Sequence, residues 1–298
     1  FILSLYIQSA WYDFPEHQPF SGNFIYNPYQ DLPDSIFKAN FHAHSKAWGG
    51  ITNGENTEQE IFDGYRSKNY DIAGISNYHK ISEYGKDKTN LHIPVYEHGI
   101  NILKAHYLVI GSEKVSFFDL PLWQTTHHQQ SIINRIQKIT DKLAIAHPRF
   151  GGGRTFSDVE KLTGYDFIEV LNHYRTSDDF WDKALSAGRL LWVMGDDDIH
   201  DIKNDPTFRL WNMIYASEAH PDTITSNMKK GLHFAVDTYD GILPNVIKSC
   251  TLSSDNTLSV AVGGIADSII FVGQDGLILS RTIQTDSAAY KFKETDTY

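Results

Sequence analysis

Between residues 35 and 200, short apolar runs alternate with stretches whose apolar positions recur at helical spacing. The runs at Ser35–Asn40, 71–79, 95–102, 106–111, 142–148, 166–173 and 189–195 are continuous enough in aliphatic and aromatic residues to read as strands buried on both faces. The stretches between them carry helix signals. Thr57 and Glu60 make a Thr-x-x-Glu capping box, and Ile61, Phe62 and Tyr65 line one side of the helix that it opens. Ile132, Ile133, Ile136 and Ile139 repeat at helical spacing, Ser157 and Glu160 open a short helix, and Trp181, Ala184 and Leu185 mark another that Gly188 closes. Buried strands alternating with amphipathic helices predict a parallel sheet covered by helices.

After about residue 235 the pattern changes to short β-type runs at 245–253, 257–262, 268–272, 277–283 and 289–293, with Gln274-Asp275-Gly276 as a hairpin turn. This predicts a small β-sandwich-like domain. Residues 11–34, rich in Pro, Asn, Tyr and Phe, read as an extended arm lying over the body. The expected organisation is an N-terminal arm at 1–34, an α/β catalytic domain at 35–238 and a β domain at 239–298. The first ten residues are apolar and end in small residues. They look like the tail of a signal peptide or N-terminal anchor, which predicts an exported protein, periplasmic or membrane-anchored. The competing reading is an apolar segment that packs on the body.

The polar residues that interrupt this pattern gather at strand ends. Residues two apart on an extended segment face the same way, so His42 and His44 can offer two imidazoles to one ion. His79, His147 and His173 end the second, fifth and sixth strands, Glu97 lies in the third, and Asp198 and His200 follow the seventh with the spacing of the first pair. Ligand candidates at the carboxyl ends of successive strands predict a (β/α) barrel with its site on that face. An open doubly wound sheet is the alternative, but no Gly-rich phosphate fingerprint follows the first strand. Imidazole and carboxylate ligands suit Zn, Mn or Fe. Eight of them exceed one four-coordinate ion, so two or three divalent ions are expected, with Glu97 as the bridge.

Composition narrows the partners. A net charge of -11, from 26 basic against 37 acidic residues, disfavours a grip on long nucleic acid and favours a small substrate. The single cysteine, Cys250, excludes an internal disulfide framework and a Cys-based zinc site. No run is long enough for a stable membrane span. Arg149, Arg154 and Arg175 each follow a candidate ligand closely, and a bidentate guanidinium suits a phosphate; the alternative for each is a surface salt bridge. His98 should face away from Glu97, His106 reads as an outer contact or a core residue, and His127 and His128 read as solvated.

The order of these motifs resembles the PHP family, the metal-dependent phosphoesterases of the polymerase and histidinol phosphatase type. The resemblance covers about residues 35–235: His-x-His, a Gly-containing loop, an amphipathic helix, a strand ending in His, a strand bearing Glu, Ala-His-Pro, another strand ending in His, and Asp-x-His. It implies a distorted seven-stranded (β/α) barrel, and hydrolysis of a small phosphate ester by a metal-bridging hydroxide. It further implies that His42, His44, Glu97 and Asp198 hold one ion, Glu97, His147 and His173 a second, and His79 and His200 a third. Glu97 and Asp198 would serve catalysis, with Arg149 and Arg175 on the phosphoryl oxygens. Two departures stand out. Thr52-Asn53-Gly54 replaces the family's Ser-Asp-Gly, which makes Asn53 a weaker third-site ligand, and Asn77-Tyr78-His79 replaces Thr-Asp-His. Amide or other ester hydrolysis at the same centre, and a non-catalytic metal-stabilised binding protein, are the competing functions.

Overall fold

A computed structural model describes residues 2–7, 9–238 and 245–298. The elements in order are α1 (Ile2–Ile7), β1 (Ser35–Asn40), α2 (Glu58–Ser67), β2 (Ile72–Ala73), β3 (Val95–His98), β4 (Tyr107–Ile110), α3 (Thr126–Ile136), β5 (Leu143–Ile145), α4 (Phe156–Lys161), β6 (Phe167–Asn172), α5 (Asp178–Ser186), β7 (Trp192–Asp196), β8 (Leu210–Ala216), α6 (Pro221–Lys229), β9 (His233–Asp237), β10 (Ile247–Leu252), β11 (Thr257–Gly273) and β12 (Leu277–Lys291). The capping box of α2 forms as expected, whereas α4 is opened by Thr155 and Asp158, two residues before the predicted pair.

The expected seven-stranded (β/α) barrel is not what forms. The chain makes a four-stranded sheet in the order β2-β1-β8-β9, a five-stranded sheet in the order β3-β4-β5-β6-β7, and a three-stranded sheet β10-β11-β12. None closes on itself. Nor are the sheets parallel throughout: β1 with β8, β8 with β9, β3 with β4 and β4 with β5 pair antiparallel. The physical reason lies at the two seams. β2 is only two residues long, so one seam is the isolated bridge Tyr78↔Glu97, with Glu97 N donating to Ser76 O at 3.1 Å. At the other seam a side chain stands in for a ladder: Asn212 Oδ1 accepts from Gly195 N at 3.1 Å and its Nδ2 donates to Gly195 O at 2.8 Å.

Apolar residues from both sheets, among them Phe41, Ile72, Leu108, Phe167, Met194 and Ile214, fill the space between them. A second core lies between the outer face of the five-stranded sheet and α3, α4 and α5, around Tyr107, Ile132, Ile133, Val159 and Phe180. Burial on this scale contributes roughly 1.5–3 kcal/mol per large apolar side chain. The arm packs on the body through Tyr12 N to His127 Nδ1 at 3.0 Å and Tyr29 Oη to His233 O at 2.5 Å. His127 is therefore engaged, and His128 is buried as the third residue of the α3 capping box; neither is the solvated residue expected.

The C-terminal strands form one antiparallel three-stranded sheet rather than a sandwich. It touches the body where Lys183 meets Asp275 at 3.1 Å and Asp275 N donates to Ser186 Oγ at 3.0 Å. The expected boundary at 238/239 adjoins 239–244, which lie outside the described residues. Among the described residues, no helix is long and apolar enough to cross a membrane.

Candidate metal centre

The centre sits where the ends of both sheets converge. Past β1, residues 42–44 run beside residues 198–199: Asp198 N donates to His42 O at 2.9 Å and His44 N to Ile199 O at 2.8 Å. This lacing sets Asp198 against both histidines. Gly54 follows from the same packing, because a Cβ there would lie 2.3 Å from Ser45 O. From the five-stranded sheet, β3 turns Glu97 inward, and its ladder partner on β4 is Leu108. His106, two residues before Leu108, shares that face by strand periodicity. His147 follows β5.

Five predicted residues come together here. His42 Nε2 lies 3.1 Å from Asp198 Oδ1 and 3.6 Å from Glu97 Oε1. His44 Nε2 lies 3.2 Å from Glu97 Oε2 and 3.4 Å from Asp198 Oδ1. His147 Nε2 is 3.1 Å from Glu97 Oε1. His106, read from sequence as an outer contact or core residue, places Nδ1 2.6 Å from the same oxygen. Glu97 and His42 are fully buried, and Asp198 and His147 nearly so.

Behind these residues stands Glu169 of β6, which the sequence did not single out. Its Oε1 lies 2.9 Å from His42 Nδ1, and its Oε2 accepts from His147 N at 2.7 Å. Asn172 Nδ2 donates to Asp198 Oδ2 at 3.1 Å. Tyr78 stacks on His44 with ring centroids 4.6 Å apart. His147 and Asp198 hold left-handed backbones, with φ of 25° and 49°. Such conformations concentrate at functional sites, where surrounding bonds impose them.

The remaining predicted residues lie elsewhere. His200 is adjacent, stacked on His44 at 4.4 Å. His173 turns its Nδ1 to the carbonyl of Asp197, so Asn172 rather than His173 faces the carboxylates. His79 directs Nδ1 to Ser116 O at 2.9 Å, and its Nε2 accepts from Gly99 N at 3.1 Å. Asn53 is exposed. The third set implied by the resemblance is therefore not assembled: Asn53 is in solvent and His79 is turned away from His200. Arg149 donates to Thr176 O at 2.9 Å and pairs with Asp179. Arg154 is buried, giving Nη2 to His106 O at 3.0 Å and lying 4.3 Å from the Tyr107 ring. Arg175 is exposed and, among the described residues, bonds its neighbour's carbonyl, Tyr174 O, at 2.8 Å.

The neighbouring aspartates have other work. Asp196 accepts from Phe41 N at 2.6 Å. Asp197 accepts from Tyr65 Oη and from the backbone N–H groups of Phe208, Arg209 and Leu210. Only Asp198 of the three faces the imidazoles.

The electrostatics are those of a charge-rich pocket taken out of water. Burial opposes ionisation of Glu97, but His106 and His42 outweigh it and hold the carboxyl well below its usual range. Burial likewise opposes the charged forms of Asp198 and His42; the imidazoles bring Asp198 down, and Asp198, Glu169 and Glu97 bring His42 up. Burial, with His44 alongside, pushes His200 down to about 4, so it is neutral at pH 7. His106 is also pushed down by burial, against the pull of Glu97.

The donor set fits divalent metal ions. His42 Nε2, both His44 nitrogens, both His200 nitrogens and Glu97 Oε2 are buried without a hydrogen-bond partner among the described residues. Buried polar atoms of this kind are costly unless something else satisfies them. Ligand atoms of His42, His44 and Asp198, those of His42, His147 and Glu169, and those of Glu97, His106 and His147 each lie within 4.8 Å of one another.

No protein-family model matches the chain, and no curated protein matches it. Among solved structures it is similar to a two-domain protein containing a predicted PHP-like metal-dependent phosphoesterase from Bacteroides vulgatus, at 14% identity over 91% of this chain and 88% of that one, with a TM-score of 0.48. It is also similar to PsfC from Pseudomonas syringae PB-5123, at 13% identity over 69% of this chain and 93% of that one, with a TM-score of 0.47. Likeness at this level carries no residue role across.

Proposed function

We propose that this chain is a metal-dependent hydrolase of the PHP type that cleaves a small phosphate ester. One observation carries the reading: the buried carboxylate of Glu97 lies between two imidazole sets, with His44 at Oε2 and His106 and His147 at Oε1. His42, His44, Asp198 and Glu97 would hold one ion, and Glu97, His106 and His147 a second. His106 thus takes the role that the resemblance gave to His173. Bound there, Zn, Mn or Fe would polarise a phosphoryl oxygen and lower the pKa of water toward neutrality. The chain's own residues set the geometry. Glu169 holds His42 by Nδ1, which leaves Nε2 to face Asp198. Asn172 orients the carboxylate of Asp198. Of Arg149, Arg154 and Arg175, Arg175 is the one left to meet a phosphate.

A second reading, hydrolysis of an amide or another ester at the same centre, draws on the arginines. Arg149 is committed to Asp179 and Arg154 is buried against Tyr107, which takes two of the three candidate arginines away from a phosphate. The test combines metal analysis with a panel of phosphomonoesters, phosphodiesters, carboxylic esters and amides. Turnover of a phosphoester that is lost together with the metal of this centre in Glu97→Ala supports the proposal. Metal content and turnover unchanged in Glu97→Ala would overturn it, and turnover confined to amides or carboxylic esters would select the second reading.

A further inference from the structure

The other face of β3 carries a separate constellation. Side chains alternate along a strand, so His98 turns away from the face that Glu97 lines. His98 is fully buried, and its ring lies 4.5 Å from that of His79. The ligand-capable atoms of His79, His98 and Asp119 all lie within 4.8 Å of one another. These three residues come from the loop after β2, from β3, and from the segment between β4 and α3. None of them belongs to the Glu97 centre.

We infer that His79, His98 and Asp119 form a zinc site that pins the 115–120 segment to β3. The carrying observation is His98: neither ring nitrogen has a hydrogen-bond partner among the described residues, although the side chain is out of solvent. A buried imidazole without partners is costly, and a bound ion would satisfy one of its two nitrogens.

His79 is prepared for the same task. Its Nδ1 lies 2.9 Å from Ser116 O, which requires the proton on Nδ1 and leaves the lone pair on Nε2. A backbone carbonyl on the far nitrogen is the usual arrangement of a metal-bound histidine. That lone pair accepts from Gly99 N at 3.1 Å, a contact the ion would displace.

Asp119 is held by Ile100 N at 2.7 Å on Oδ2, and by Leu120 N at 2.7 Å and Gln124 Nε2 at 2.8 Å on Oδ1. Oδ2 accepts one bond and so keeps a free lone-pair direction. A tetrahedral zinc ion with ligand bonds near 2.0–2.1 Å spaces its ligand atoms by about 3.3 Å. Ligation therefore requires the three groups to draw together by at most about 1.5 Å. The ring of Phe117 lies near parallel to that of His79, with centroids 6.0 Å apart. Two imidazoles and one carboxylate, with water as the fourth ligand, suit zinc. The inference does not depend on the hydrolase reading.

The experiment uses the full chain, stripped with chelator, reloaded with Zn²⁺ and dialysed. Zinc per chain and melting temperature are then measured for Glu97→Ala and for Glu97→Ala combined with His98→Leu or Asp119→Asn. Glu97→Ala should retain one zinc, and both double variants should lose it. Zinc should raise the melting temperature of Glu97→Ala but not of the double variants. Equal zinc content and equal zinc-induced shifts across the three would overturn the inference, as would a Glu97→Ala chain that holds no zinc. Leucine removes two unpaired buried nitrogens, so without metal His98→Leu should fold at least as well as its parent. Should it fail to fold, the near-isosteric Asp119→Asn decides by the same comparison.

Discussion

Glu169→Gln is the sharpest probe of how the centre is held. The carboxylate uses both oxygens, one toward His42 Nδ1 at 2.9 Å and one for His147 N at 2.7 Å. Glutamine keeps the volume but offers a single acceptor. Either a buried donor then faces an NH₂ group, costing about 1–3 kcal/mol, or His42 changes tautomer and carries its proton on Nε2. In both cases His42 becomes a poorer ligand. Outer partners of metal-bound histidines are worth about 10–100-fold in affinity, or about 1.4–2.7 kcal/mol, which matches the hydrogen-bond cost. Stripped protein should be titrated with Zn²⁺ against a chromophoric chelator, and its urea stability measured in parallel. Glu169→Gln should weaken zinc binding by 10–100-fold. Wild-type affinity in a variant of unchanged metal-free stability would refute the assignment of His42 as a ligand held by Glu169.

Other expectations follow from single positions. Burial pushes His233 down to about 4, below the ordinary 6.5. The unfolded chain therefore takes up a proton first as pH falls, and stability is lost between about pH 6.5 and 4. The loss from this residue is about 2.5 kcal/mol between pH 7 and 4.5; urea melts of His233→Gln should show a pH dependence smaller by that amount, and an identical dependence would contradict it. Arg175→Ala should raise KM for a phosphorylated substrate about fivefold, equivalent to roughly 1 kcal/mol, with stability unchanged; an unaltered KM would remove Arg175 from the site. Asn53→Asp should leave metal content and affinity as they are, because Asn53 is exposed; tighter binding in that variant would bring the 52–54 loop back to the centre.

What local pattern can specify was readable. Period-two alternation puts Glu97 and His98 on opposite faces of β3, and the structure shows one at each cluster. The same rule sets His42 and His44 together, and the repeated two-residue spacing picks Asp198 from a run of three aspartates. The boundaries of β1 and the capping box of α2 likewise follow from neighbouring residues alone.

Partners that meet only through strand pairing were not readable. His106 reaches Glu97 because β4 runs antiparallel to β3. Glu169 reaches His42 because β6 lies across the space between the two sheets. His79 looks like a ligand at a strand end, yet β2 stops after two residues, and the loop that follows carries Tyr78 to His44 and His79 to His98. The barrel failed for a related reason. Alternating strands and helices do not encode whether the last seam closes, and here an asparagine side chain, Asn212, takes the hydrogen bonds of Gly195 that a paired strand would have taken. Sequence spacing decides which way a side chain points along its own strand. Only the tertiary arrangement decides what stands opposite, because hydrogen-bond partners distant in the chain are chosen by register and seam.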